Sequence, residues 1–150
     1  MRIVIQRVTG ASVSIGGELY SSIGAGLFIL VGVENGDGEE DASWLASKAA
    51  GLRIFNDEDG VMNLNVSDAD GEILAVSQFT LTASTKKGNR PSYIRAAGHE
   101  LAIPMYDRFC SLLSEAAGRP VRRGVFGADM PCGLVNDGPV TIIIDSKIKE

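Results

Sequence analysis

The sequence predicts an α+β fold: a single domain of layered β-sheets spanning residues 1–150, with two main helices packed on one side as β-β-α layers. Three observations support this prediction. Apolar segments of strand length recur along the chain, only two segments have helical spacing, and no linker, repeat or low-complexity stretch divides the sequence. A chain of 150 residues is also the size of one ordinary domain with a substantial core.

The composition is that of a globular protein, with 45% hydrophobic and 22% charged residues. No apolar run has the length that a membrane span requires, and the N-terminus lacks the long apolar centre of a signal peptide. We therefore expect a cytoplasmic protein with no membrane partner. The net charge of −5 argues against broad coating of nucleic acid, so no DNA partner is expected, although a local basic patch is allowed.

The first 33 residues have the patterns of β-strands. Residues 1–8 and 11–15 alternate polar and apolar side chains, which predicts two strands, and Gly16-Gly17 predicts a turn after them. Residues 26–33 form a continuous apolar run, which is typical of a strand buried on both faces.

Two segments have helical spacing. Acids at residues 39–41 favour the first turn of one helix, which is expected to end near Gly51. Apolar residues spaced from 101 to 116 predict a second helix that ends near Gly118. Pro104 is awkward inside it, so this helix either starts near Ile103 or bends at the proline.

The remaining segments alternate turns and strands. Residues 56–60 and 68–71 are turn clusters, since neither supplies ligands at the positions that a calcium loop requires. Residues 72–81 predict a strand that turns polar at its end, and residues 120–145 return to strand patterns. There, two apolar runs flank a polar turn at Gly138-Pro139. Two interpretations stay open: a hairpin turn, or a rigid backbone device presented at a site.

Conventional catalytic groups are scarce. The only histidine, His99, lies at the polar start of the second helix, and Cys110 and Cys132 are interpreted as reduced residues in or near the core. This inventory argues against a serine-hydrolase triad and a zinc site, and it predicts neither a metal nor a cofactor. If the chain is an enzyme, much of its chemistry must come from backbone groups or from the substrate.

The best catalytic candidates are Ser77, Gln78, Phe79 and Thr80, which follow an apolar run. Hydroxyls, an amide and free backbone N–H groups at a strand end can orient a carbonyl and stabilise an oxyanion. The same residue types also occur at strand ends without a function, so this cluster alone does not decide the question.

A basic loop follows that cluster. Lys86, Lys87 and Arg90 lie in it without an accompanying acid. The loop is either an ordinary solvated surface or a rim that grips phosphate groups.

Two motifs together resemble the signature pair of the D-aminoacyl-tRNA deacylases: Ser-Gln-Phe-Thr-Leu at residues 77–81 and Asn-Asp-Gly-Pro-Val-Thr at residues 136–141. The departures are Tyr93, where the family often has phenylalanine, and Pro104. The likeness covers nearly the whole chain, including residues 5–8, 11–13, 32–34, 53–55, 62–66, 90–93 and 126–130.

The resemblance implies a homodimer that binds the aminoacylated 3′ end of tRNA and hydrolyses the ester of a D-amino acid, or of glycine mischarged on tRNA-Ala. In such enzymes a cis Gly-Pro pair from one subunit enters the active site of the other. Carried over, this pair is Gly138-Pro139 and is oriented by Arg7. The site that it enters is built on residues 77–80, and Ala97 lines the pocket.

This implied mechanism agrees with the scarcity of bases. A rigid backbone pair excludes an L side chain, whereas a D side chain points outward and glycine has nothing to clash. The resemblance further suggests that the 2′-OH of the terminal ribose assists the attack. Three alternatives remain: Thr80 as a covalent nucleophile, a catalytically inactive nucleic-acid-binding module of the same fold, and a purely structural dimer.

Overall fold

A computed structural model describes all 150 residues and has the predicted α+β architecture, with two main helices against one side of a strongly bent sheet. The elements in chain order are β1 (Arg2–Ile15), β2 (Glu18–Ile23), β3 (Gly26–Gly32), α1 (Glu39–Gly51), β4 (Phe55–Asn56), β5 (Met62–Leu64), β6 (Glu72–Ser77), a 3₁₀ turn (Phe79–Thr82), α2 (His99–Ala117), β7 (Val121–Arg123) and β8 (Cys132–Asp145).

The long strand β1 organises the sheet. The sequence predicts two strands in this region, but the structure has one continuous strand, Arg2–Ile15. One edge of β1 pairs antiparallel with two strands: its first half pairs with β3 and its second half with β2. The pairing continues in the same register from β3 to β2, although residues 24–25 between them belong to neither strand. The other edge pairs antiparallel with β8 over nearly its whole length. β6 joins β3 in parallel, and β7 joins β6 in parallel.

The core is divided into two hydrophobic clusters. The larger cluster lies between the helices and one face of the sheet, and its sheet residues include Ile5, Ile29 and Ala75. The smaller cluster lies on the opposite face, where Phe28 and Leu74 meet side chains from the C-terminal half of β1. β1 contributes to both clusters, its N-terminal half to the larger one and the residues from Val8 onward to the smaller one. This arrangement gives the predicted β-β-α layers.

The predicted helices are present, with one correction at α2. The helix begins at His99, so Pro104 lies within it, and a start near Ile103 is wrong. α2 ends where Gly118 adopts a left-handed conformation (φ 65°), and its amide caps the last turn. Neither helix is long and apolar enough to cross a bilayer.

Three strand-level expectations need correction. The strand predicted over residues 72–81 ends at Ser77, because the chain then enters the 3₁₀ turn. Cys132 is exposed at the start of β8 and not near-core, whereas Cys110 is fully buried as expected. The hairpin interpretation of Gly138-Pro139 is also wrong. The two flanking apolar runs do not pair with each other, since both belong to β8 and pair with β1.

Candidate active site

Gly138-Pro139 lies in a bulge of β8. Gln6 of β1 pairs with Thr141 and Val8 pairs with Asn136, so the four residues 137–140 of β8 stand opposite Arg7 alone. A strand with extra residues against its partner must arch away from the ladder at that point. The bulge therefore projects its backbone into solvent, and both Gly138 and Pro139 are exposed.

Side chains close the base of the bulge. The Asn136 Oδ1 atom accepts a hydrogen bond from the Val140 amide (3.1 Å), and its Nδ2 atom donates to Thr141 Oγ1 (3.1 Å). Sequence reasoning assigned no role to Asn136. An asparagine before a turn is the signal that could have identified it, since this side chain commonly bonds nearby backbone.

Arg7 fixes the bulge from beneath. Its guanidinium is buried and donates to the Asp137 carbonyl (Nε, 3.1 Å) and to the Ile54 carbonyl (Nη1, 2.7 Å). The Asp137 carboxylate lies 3.3 Å from Nε and is half exposed. Arg7 therefore ties the bulge to a second segment of the chain, and the resemblance indeed implies that this arginine orients the pair. The Gly138–Pro139 peptide bond is cis, as the resemblance also implies.

Only glycine fits at position 138. Its φ of 131° lies in the region that L residues rarely adopt. A Cβ atom there would lie 2.8 Å from Val140 Cγ2 and 3.0 Å from Arg7 Nη2. Any side chain at this position would therefore displace either the bulge or the arginine that supports it.

The Ser77–Thr80 motif lies at the carboxyl end of β6. The Gln78 amide donates to the Val31 carbonyl (2.8 Å), which ends the strand pairing. Phe79 and Thr80 then begin the 3₁₀ turn, and the first N–H groups of a helical turn have no acceptor within it. The Gln78 Nε2 atom donates to Thr80 Oγ1 (2.5 Å). The motif thus combines free amide donors with a hydroxyl that is already engaged.

A second segment lines the same end of the sheet. The Ala97 amide donates to the Val33 carbonyl (3.0 Å), so Ala97 lies half-buried on the extension of β3, beyond the point where β6 leaves it. Tyr93 packs edge-to-face on Phe79, with ring centroids 5.0 Å apart. Phe79 is 55% exposed. Tyr93, which received no role from the sequence, thereby extends the apolar surface beside the motif.

Neither the histidine nor a thiol of this chain is placed as a ready nucleophile or base at the motif. His99 packs edge-to-face on Phe126, with centroids 5.6 Å apart. Burial raises the pKa of the Cys110 thiol to about 11 and also raises the pKa of Cys132. Both thiols are therefore protonated at neutral pH, when they are poor nucleophiles.

The basic loop is exposed at all three predicted positions, Lys86, Lys87 and Arg90. None of the three forms an ion pair. The loop is closed by a bridge between Ser84 and Ser92, and it follows directly after the 3₁₀ turn. Its unpaired cations are therefore available to an anionic partner near the Ser77–Thr80 motif.

Within one chain the two motifs lie apart. Val31 pairs with both Ile3 and Ser77, so Ser77 is level with Ile3, four residues before Arg7 along β1. At ~3.3 Å per residue and ~4.8 Å per strand, the bulge on β8 is about 13 Å away along the strands and about 14 Å away across them. The structure therefore groups Arg7 with Gly138 and Pro139, and groups Ala97 with the Ser77–Thr80 motif.

Comparisons with known proteins agree along the whole chain. A family model described as D-Tyr-tRNA(Tyr) deacylase matches residues 4–145. Proteins named D-aminoacyl-tRNA deacylase from Porphyromonas gingivalis and Bacteroides thetaiotaomicron are 63% and 60% identical to this chain, over 100% of each chain.

Two solved structures are similar in fold. One, described as c-Myc DNA Unwinding Element Binding Protein, superposes with a TM-score of 0.90 at 40% identity, covering 97% of this chain and 98% of the other. Another, described as a probable eukaryotic D-amino acid tRNA deacylase, has a TM-score of 0.81 at 17% identity and covers 95% and 97% of the two chains. At that lower identity the likeness concerns the fold alone.

Replacing Arg7 by methionine should destabilise the protein. The change leaves the Asp137 and Ile54 carbonyls without their buried donor, so we expect a loss of about 2–3 kcal/mol in the free energy of unfolding. Urea denaturation at a fixed protein concentration measures it. Arg108→Met is the control, because Arg108 pairs with Glu39 on the exposed surface and should matter little. Equal losses in both variants would contradict the supporting role of Arg7.

Proposed function

The chain belongs to the D-Tyr-tRNA(Tyr) deacylase family, and on this premise we propose that it is an ester hydrolase that releases the D-amino acid from D-aminoacyl-tRNA. The observation that carries the proposal is the presence of both motifs in folded form: the glycine-dependent bulge at Gly138 and the free amide donors at Phe79 and Thr80. The whole of residues 1–150 would act as one deacylase domain, in the cytoplasm where charged tRNA is used.

A homodimer would bring the two motifs together. They are too far apart to act on one substrate within a protomer, and β8 pairs with β1 only, so its other edge is free. Val135 and Ile143, on either side of the bulge, are 62% and 67% exposed. A long apolar strand with an open edge is a favourable surface for a second copy. We infer that Gly138-Pro139 of one subunit enters the Ser77–Thr80 site of the other.

Chirality would be read by the backbone of this pair. Because Gly138 has no side chain, its carbonyl and that of Pro139 can approach the α-ammonium group of the substrate closely. With the ammonium and ester held at two points, an L side chain would project into the main chain, whereas a D side chain would point outward. Glycine has nothing to clash, so glycine mischarged on tRNA-Ala would also be hydrolysed.

The reaction would need little from side chains. Water adds to the ester carbonyl carbon and gives up a proton, and the carbonyl oxygen becomes an oxyanion. The bond from this carbon to the 3′ oxygen of the terminal ribose then breaks, and the 3′ oxygen leaves with a proton. Amide groups at Phe79 and Thr80 can donate to the oxyanion, which is a large contribution in acyl transfer. The neighbouring 2′-OH of the tRNA would take part in the proton transfer, since residues 77–80 include no general base. Ser77 and Gln78 would orient the ester, and Ala97 would line the amino-acid pocket.

The surroundings of the site suit the 3′ end of tRNA. Phe79 and Tyr93 offer an exposed aromatic surface on which a base can stack. Lys86, Lys87 and Arg90 have no acidic partner, so they can contact phosphates without first breaking an ion pair. With an overall charge of −5, this contact would be local. A catalytically inactive nucleic-acid-binding module is the alternative, but it gives no reason for the glycine-only geometry of the bulge.

The first test is stereochemical. We expect rapid hydrolysis of D-tyrosyl-tRNA and no detectable hydrolysis of L-tyrosyl-tRNA, because only the D ester leaves the main chain of Gly138-Pro139 unobstructed. Release of free tyrosine from each substrate measures the two rates. Equal rates on both esters would refute the backbone filter. Binding of tRNA without cleavage of either ester would favour the inactive module.

The second test concerns the nucleophile. We expect Thr80→Ala to retain substantial turnover, because water rather than the threonine hydroxyl attacks, whereas a substrate that ends in 2′-deoxyadenosine should be hydrolysed poorly. Single-turnover rates on the normal and the 2′-deoxy substrate provide the comparison. Complete loss of activity in Thr80→Ala, together with an isolable acyl-enzyme, would instead assign the covalent role to Thr80.

The third test places the two motifs on different subunits. Thr80→Trp should block the site and Gly138→Ala should displace the bulge, so each homodimer should be inactive. A heterodimer of the two variants has one site in which both contributions are intact, but only if the bulge acts across the interface. We expect co-refolded, purified heterodimers to recover activity on D-tyrosyl-tRNA. Inactive heterodimers, or a monomer in sedimentation experiments, would contradict this arrangement.

A further inference from the structure

The carbonyl groups at the end of the 3₁₀ turn are bound by arginines from distant parts of the chain. Inside the turn, the Gln78 and Thr80 carbonyls accept bonds from the Leu81 and Ala83 amides. The next two carbonyls are past the last of these bonds, as expected at a helix end. Arg2 Nη1 donates to the Leu81 carbonyl (2.8 Å), and Arg95 donates to the Thr82 carbonyl (3.1 and 3.3 Å).

Arg2 binds the turn and β8 at the same time. Its Nε and Nη2 atoms lie 3.0 and 2.9 Å from Asp145 Oδ2, at the end of β8, while Nη1 contacts the turn. The Arg2 side chain is 24% exposed and that of Asp145 is 11% exposed. Burial acts to raise the pKa of Asp145, but the Lys147 amide and the Arg2 guanidinium together lower it. The carboxylate is thus charged at neutral pH and holds the guanidinium in place.

Arg2 is well placed to act on the turn without touching a substrate. It approaches from β1, the strand that lies beyond β3 from the motif. The turn itself packs closely on β3, because a Cβ at Gly32 would lie 3.0 Å from Leu81 Cβ and 3.1 Å from the Gln78 carbonyl. Arg95 differs, since its side chain is about half exposed and it lies close to the basic loop. A change at Arg95 could therefore alter tRNA binding directly.

We propose that Arg2 is a positioning residue for deacylation: by fixing the Leu81 carbonyl, it sets the direction of the Phe79 and Thr80 amide groups. This inference rests on the proposed function, in which those amides bind the oxyanion. Donors of this kind stabilise a transition state only when they are held in the correct direction beforehand. Because the other half of the guanidinium is bound to Asp145, the turn is held in a fixed position relative to the end of β8.

The experiment compares Arg2→Met with Arg119→Met in the full-length protein. Arg119 is a matched control: its side chain is 21% exposed, it donates to the Gly71 and Ser67 carbonyls, and it pairs with Asp70. It lies next to the start of β6, at the opposite end of that strand from Ser77. Both variants should lose stability, so both are assayed well below their unfolding temperatures. The measurements are kcat and KM on D-tyrosyl-tRNA and hydrogen exchange at the Leu81 and Ala83 amides.

For Arg2→Met we expect kcat to fall about tenfold with KM nearly unchanged, and exchange at the two amides to accelerate by about the same factor, which corresponds to the loss of one hydrogen bond. Arg119→Met should change neither. Arg2→Lys keeps the charge beside Asp145 but lacks the fork that reaches two acceptors at once. It should regain stability while kcat stays low.

Two outcomes would overturn the inference: wild-type kcat and exchange in Arg2→Met, or equal falls in kcat in Arg2→Met and Arg119→Met. Inactivity of the wild-type protein on the D ester would contradict the proposed function instead. The exchange data would still decide whether Arg2 orders the turn, because they do not depend on activity.

Discussion

The contact between Arg7 and the β8 bulge is the interaction on which the candidate site most depends. A buried guanidinium is tolerated only when its donors are satisfied, and here they are satisfied by carbonyls of the bulge and of Ile54. Arg7 and Val140 together leave no room for a Cβ atom at position 138. The buried charge, the shift in strand register and the glycine requirement therefore meet at one point of the sheet.

The path of β1 explains why the two motifs are separate in the chain fold. The strand pairs with β3 near one motif and carries Arg7 opposite the other, so a single element sets both positions. A dimer through β8 would make each site composite. Arg2 and Asp145 would then connect the turn of one site to the strand that carries the bulge of the other. In such a dimer, a complete site would require both that β8 is folded and that the two subunits are assembled.

Local sequence patterns predicted the architecture better than the details of the site. The buried strand β3 followed from its continuous apolar run, and both helices followed from the spacing of their apolar residues. The bulge could not be predicted in this way, because the apolar runs beside Gly138-Pro139 have the same pattern whether they pair with each other or with a third strand. Register is a property of the partner, and the partner here lies some 130 residues away in sequence. The 3₁₀ turn was missed for a similar reason, since residues 78–81 are compatible with an extended strand end.

The glycine-only geometry at position 138 also has an evolutionary side. In the proposed function the element that reads chirality consists of main-chain atoms, and it would be hard to alter gradually, because replacing a side chain leaves the peptide groups where they are. Variation elsewhere in the pocket can proceed while the element itself stays constant, and most single substitutions will be silent with respect to it. The sensitive positions are Gly138, where a Cβ atom would meet Val140 and Arg7, and Arg7 itself, whose guanidinium binds the Asp137 carbonyl. Fidelity based on such an element would tolerate most sequence drift and would be sensitive at those two positions.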